Sequence, residues 1–147
     1  MSIKSSPFQT QTMASKIFVN LPVKNLSRSV DFFTALGFSF NPQFTNETST
    51  CMVISDSIFV MLMEETRFAE AAKKPVSNAA ASTEVIIALD AESRTEVDDI
   101  IKKAEQAGGM VSDNKQDYGF MYLHGFQDLD GHLWEICWLD MQAMPKQ

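Results

Sequence analysis

Residues 16–23, KIFVNLPV, alternate closely enough to predict a strand with few exposed positions. Just beyond it, Asn25 and Ser27 each carry a side-chain oxygen able to accept a free first-turn N–H, so either can begin a helix. That helix carries Val30, Phe33 and Leu36 at three-to-four spacing, with Phe32 alongside, and Gly37 is its natural stop. Three short strands are predicted next, over 38–44, 50–55 and 58–63, with Asp56 and Ser57 turning between the last two.

The same order then returns. Residues 84–89 form an apolar strand, and 95–107 a helix with Val97, Ile100, Ile101 and Ala104 on one face. Gly108 and Gly109 end it. Strands follow over 110–112, 119–126 and 133–139, the last two joined by the turn 128–131, DLDG. Each half reads strand, helix, strand, strand, strand, and repetition on this scale is stronger support than any single strand. Between the halves, EETRFAEAAKK predicts a short helix over Phe68, Ala69 and Ala72. Residues 75–82 are small and polar, a connector able to cover a pocket. With residues 1–14 read as a polar extension, one domain spans 15–141. Its modules occupy 16–63 and 83–140, joined by a 64–82 linker.

Composition narrows the partners. A chain of 147 residues, 45% hydrophobic and 21% charged, is long enough and apolar enough to bury a core. Its formal net charge of −7 offers no basic footprint for nucleic acid or an anionic membrane surface. No run approaches the roughly 20 apolar residues of a membrane span, and the start of the chain has no apolar leader, so a cytoplasmic location is expected. Cys51 and Cys137 lie far apart in apolar runs and read as reduced, buried thiols rather than a disulfide or a nucleophile.

Two stretches carry a family resemblance. VNLPVKNLSRSVDFFTALGF, residues 19–38, resembles the opening of the modules of the vicinal-oxygen-chelate superfamily, to which glyoxalase, bleomycin-resistance and ring-cleaving dioxygenase proteins belong. FQDLDGHLWEICWLD, residues 126–140, resembles their closing signature, and EVIIALDAESRTEVDDIIKKAEQAGG is similar to the start of a second module. The resemblance covers about residues 16–140. It implies an α+β fold of two tandem βαβββ modules whose curved mixed sheets enclose a cavity. It implies a homodimer too.

The resemblance also assigns positions. Glu135 matches the final glutamate ligand of the metal-binding members, and Glu84 falls where a histidine is usual. Phe18 occupies the first ligand position and Met61 a position near a fourth; neither suits a hard or borderline divalent ion. The expectation is therefore a small-molecule binder without a complete metal site. Its alternative is a lyase or isomerase resembling glyoxalase I, in which nickel, zinc, manganese or magnesium would polarise an oxygen while Glu135 or Glu84 moved protons. Ring-cleaving iron chemistry fits poorly, since it needs two histidines and a carboxylate.

Alternation supplies the remaining candidates. Glu135 shares a strand face with Leu133, Cys137 and Leu139, where a carboxyl group must meet water, accept hydrogen bonds or sit protonated. Asn20 shares the face of Phe18 and is a polar contact for a ligand; Phe59, Met61 and Met63 form an adaptable apolar row. Tyr122 and His124 fall on one face with Tyr118 and Phe120, so Tyr122 is a ligand contact and His124 a contact or general base. His132, after the Asp-Gly turn, reads as exposed.

Overall fold

The computed structural model of the protein describes residues 13–143 and 145; residues 1–12 of the polar extension lie outside them. The first predicted strand is β1 (Ile17–Val23). The helix after it, α1 (Leu26–Ala35), begins at Asn25, whose side-chain oxygen accepts from the Arg28 N–H at 3.1 Å. Gly37 follows at φ +106°, a left-handed conformation that closes a helix without the strain a Cβ would bring.

The strand predicted over 38–44 is interrupted. β2 (Ser39–Asn41) gives way to a 3₁₀ turn at Pro42–Phe44, because Pro42 has no N–H to pair and the Asn41 side chain accepts from the Gln43 N–H at 2.9 Å. β3 (Ser49–Val53), β4 (Ile58–Glu64) and α2 (Glu65–Ala72) complete the first half.

In the second half β5 (Ile86–Ala91) starts two residues later than expected, which leaves Glu84 outside the strand. α3 (Arg94–Gln106) is capped by Ser93, whose hydroxyl accepts from the Glu96 N–H at 3.0 Å. After β6 (Met110–Val111), the strand predicted over 119–126 forms two residues late, and a short strand that was not expected precedes it. β7 (Gln116–Asp117) pairs back on β8 (Met121–Gln127) through a tight turn in which Gly119 takes φ +81°. β9 (Leu133–Leu139) lies where the sequence places it.

The strands form two mixed sheets, ordered β1-β4-β3-β2 and β5-β9-β8-β6, with β7 beside β8. In each, the first and last strands of the module run parallel and the other neighbours antiparallel. This is the expected α+β arrangement of βαβββ modules. Neither sheet closes on itself, and among the described residues no strand of one pairs with the other. Each sheet buries one face, beneath α1 in the first and α3 in the second, and its other face is more open, with α2 beside part of the first. On the open side Phe18 and Ile86 are half-exposed, whereas Val60, Leu62, Trp134 and Ile136 on the covered side are sealed.

What the halves share is one core. Phe33 of α1 stands 5.2 Å from the Trp134 ring on β9, and Phe32 stands 6.1 Å from Phe126 on β8. Phe126 in turn stacks on Trp134 at 6.2 Å. The first module's helix thus buries its aromatic pair against the second module's strands, the contact type that dominates core energetics.

The turn before β9 fastens the halves a second time. The Asp130 carboxylate accepts from the Lys24 N–H at 2.9 Å and from the Ser29 hydroxyl at 3.4 Å. His132 donates from Nε2 to the Pro22 carbonyl at 2.7 Å. It is therefore half-buried at the junction and not exposed as its place after the turn suggested. Gly131, at φ +91°, lies so close to the linker that a Cβ there would stand 2.9 Å from the Ala79 carbonyl oxygen.

Candidate functional site

Three of the sequence candidates meet on the open face of the first sheet. The β1–β4 register sets Phe18 beside Phe59 and Asn20 beside Met61, and residues paired in this way share a face. The Phe18 and Phe59 rings stack at 4.8 Å, nearly parallel. The Asn20 amide donates to the Phe18 carbonyl at 3.1 Å, which leaves its oxygen free for another partner. Aromatic plate, amide and thioether thus lie side by side on one face of the sheet.

Glu135 occupies the open face of the second sheet. It is opposite Ala88 on β5 and Gly125 on β8. Its Oε2 accepts from the Asn114 side chain at 3.1 Å, and the same Asn114 accepts the Gly125 N–H at 3.0 Å. Gly125 makes this grip possible: a Cβ there would stand 3.0 Å from the Asn114 amide nitrogen and 2.8 Å from the Trp134 carbonyl oxygen. Sequence reasoning missed Asn114. A lone glycine inside a strand was the available signal, since it marks close approach by another group. Cys137 shares this face, and burial pushes its thiol up, with the Glu135 and Asp90 charges adding to the effect. Burial likewise raises Cys51, so neither thiol is primed as a nucleophile.

Tyr122 and His124 face the other way. Because Gly125 pairs with Glu135, the residues flanking Gly125 point to the helix side. The buried Tyr122 hydroxyl donates to Asp98 of α3 at 2.5 Å, and Arg94 and Lys115 lie over its ring at 5.1 and 5.5 Å. Arg94 also clasps Asp117 through two bonds of 2.6 and 3.0 Å, which pins the β7–β8 turn to the start of α3. That guanidinium holds the Asp117 carboxyl below its usual range. His124 donates from Nε2 to the Ser112 carbonyl at 2.9 Å. Tyr122 and His124 therefore serve the packing of α3 and β6 against the sheet, and the structure does not bring them to Glu135.

Glu84 is also apart from Glu135. The residue opposite Glu135 is Ala88, so Glu84 precedes it by roughly 13 Å of extended chain. Glu84 instead joins Asn20 in a cleft of about 390 Å³ between β1, α2 and the linker, lined besides by Pro22, Phe68, Lys74 and His132.

The four positions that the resemblance assigns around a metal have separate settings here. Phe18 is stacked on Phe59, Met61 offers a thioether, Glu84 is displaced, and Glu135 is held by Asn114. Among the described residues one other group gathers three candidate ligands, Asp128, Asp130 and His132. Both carboxylates and the His132 Nε2 are already engaged. Asp128 accepts from the Asp130 and His132 N–H groups at 2.9 and 3.0 Å and from the Trp134 indole at 3.0 Å. Asp130 and His132 bind the first module as described. The group reads as a fastening, and no catalytic step through a metal follows from it.

With this geometry in hand, the class is a paired-module α+β protein with open sheet faces and a linker-covered cleft. Comparisons narrow it further. The model for the bleomycin resistance protein-like N-terminal family matches residues 16–55. A solved hypothetical protein of S. aureus is similar at 30% identity and a TM-score of 0.73, over 86% of this chain and 95% of that one. A glyoxalase-related enzyme from Fulvimarina pelagi shares the fold at 20% identity and a TM-score of 0.72, over 88% of each chain. The lactoylglutathione lyase of Agrobacterium tumefaciens does so at 14% identity and 0.64, over 90% of this chain and all of that one (100%). No curated protein matches the sequence significantly. The chain belongs to the glyoxalase/bleomycin-resistance/dioxygenase family.

Proposed function

We propose that the protein binds a small molecule in the cleft between β1, α2 and the linker. The observation that carries this reading is the cleft itself: about 390 Å³, within the usual range for ligand pockets, and lined by polar and apolar groups together. Asn20 and Glu84 supply polar contacts, and Phe68 and Pro22 the apolar floor. The adjoining Phe18–Phe59 plate and Met61 extend that surface across the open sheet. Binding, orientation and partial exclusion of water are what these residues can do. A protein-observed NMR screen with small fragments checks the proposal. Shifts should concentrate on Asn20, Phe68, Ser77 and Glu84; hits that perturb only residues remote from the cleft would sink it.

We also propose a homodimer whose second copy covers the open sheet faces. Phe18 is 52% exposed, Ile86 52% and Leu139 36%, a set of large apolar side chains that water solvates poorly. Sedimentation analysis should show a dimer that Ile86→Lys, placed on that face, converts to monomer. A monomeric wild-type chain at micromolar concentration would overturn this.

A further inference from the structure

The cleft bears one charge of each sign, and that fixes more about its occupant than its size does. Lys74 and Glu84 both line it, from opposite ends of the connector that bridges the halves. They do not neutralise one another: the one ion pair among the described residues is Arg94 with Asp117. Lys74 is brought there by Lys73, which ends α2 at φ 57° and turns the chain sharply over the cleft. Glu84 is brought there by the late start of β5. The rest of the lining is mixed: Leu21, Pro22, Phe68 and Val85 supply apolar surface, beside uncharged polar groups such as Asn20 and Thr83.

We infer that the cleft takes a zwitterion of amino-acid or dipeptide size with an apolar side chain. Lys74 would meet the carboxylate and Glu84 the ammonium group, while the side chain lies against Phe68 and Pro22. A molecule carrying a single charge would satisfy one of these residues and leave the other unpaired. Charge-assisted contacts to both ends are the stronger and more directional pairing. The inference rests on the cleft being the binding site, and it adds the chemical class of the ligand.

The test uses three probes of one shape: L-phenylalanine, 3-phenylpropionate, which lacks the ammonium group, and 2-phenylethylamine, which lacks the carboxylate. Titration of the whole chain followed by NMR should give saturable shifts at cleft residues with L-phenylalanine. Each singly charged analogue should bind about tenfold more weakly, the change expected for one lost charge-assisted contact. Lys74→Gln should weaken L-phenylalanine by a similar factor and leave 2-phenylethylamine unchanged; Glu84→Gln should do the reverse with 3-phenylpropionate. Both side chains are exposed, so both variants should fold, as an unshifted Tm would confirm. Equal binding of all three probes in the cleft would overturn the zwitterion and spare the cleft as a binding site. So would binding there by uncharged fragments alone. Absence of cleft shifts with these probes and with any fragment would overturn both.

Discussion

Replacing Phe33 by alanine should lower stability by about 3–5 kcal/mol, among the largest effects of any single substitution in this chain. The ring is 1% exposed and touches both halves: it meets Phe32 edge-on at 5.0 Å, Phe38 at 6.3 Å and Trp134 at 5.2 Å. Its loss leaves a cavity where α1 meets β9, and rigid strands on the far side limit how far the site can collapse. Urea unfolding followed by tryptophan fluorescence checks this, since Trp134 is one wall of the cavity. A loss below about 1 kcal/mol would mean that the ring junction is not what holds the halves together.

The second large effect should come from Asp128. Its carboxylate is 6% exposed and serves three donors, the Asp130 and His132 N–H groups and the Trp134 indole. Asp128→Ala would strand all three in a buried place, at about 3 kcal/mol or more. Asp128→Asn keeps an acceptor oxygen for the two backbone donors and should fold, which lets charge be examined alone. Burial pushes the Asp128 carboxyl up, against the pull of His132, the Trp134 indole and the backbone donors. A carboxyl raised in the folded state binds its proton more tightly there than in the unfolded chain. Its contribution is then fully present below the unfolded value, about pH 4, and is lost as pH rises through the folded value. The stability of wild type relative to Asp128→Asn should accordingly decline with rising pH over that window in chemical denaturation. A relative gain would reverse the sign and show that the three donors outweigh burial.

The modular plan was legible because it depends on local signals: apolar alternation, three-to-four spacing, and glycines that end helices. β9 and the glycine stops after α1 and α3 follow from them directly. Facing was harder. A run such as GFMYLHGF has apolar residues on both parities, so periodicity cannot say which side meets the helices. The pairing of Gly125 with Glu135 decides it, and that pairing is a tertiary fact. For this reason Tyr122 and His124, read as ligand contacts, instead face α3 and β6. Glu84 was read into a strand that begins at Ile86, because the parallel pairing of Ile86 with Leu133 fixes the start, and no residue near Glu84 announces it. The cleft was hinted at only by the composition of the connector. Its lining draws on β1, α2 and the turn before β9, elements that sequence distance separates.

The sheets' outer margins bear on a different matter, the keeping of the protein from fibrous self-assembly. β2, one outer strand, is three residues long and ends at Pro42, which has no hydrogen to offer a newcomer. At the corresponding margin of the other sheet, β6 and β7 are two residues each. A stray strand docking at these margins would find few backbone partners before the ladder ran out, so growth by strand addition is blunted there.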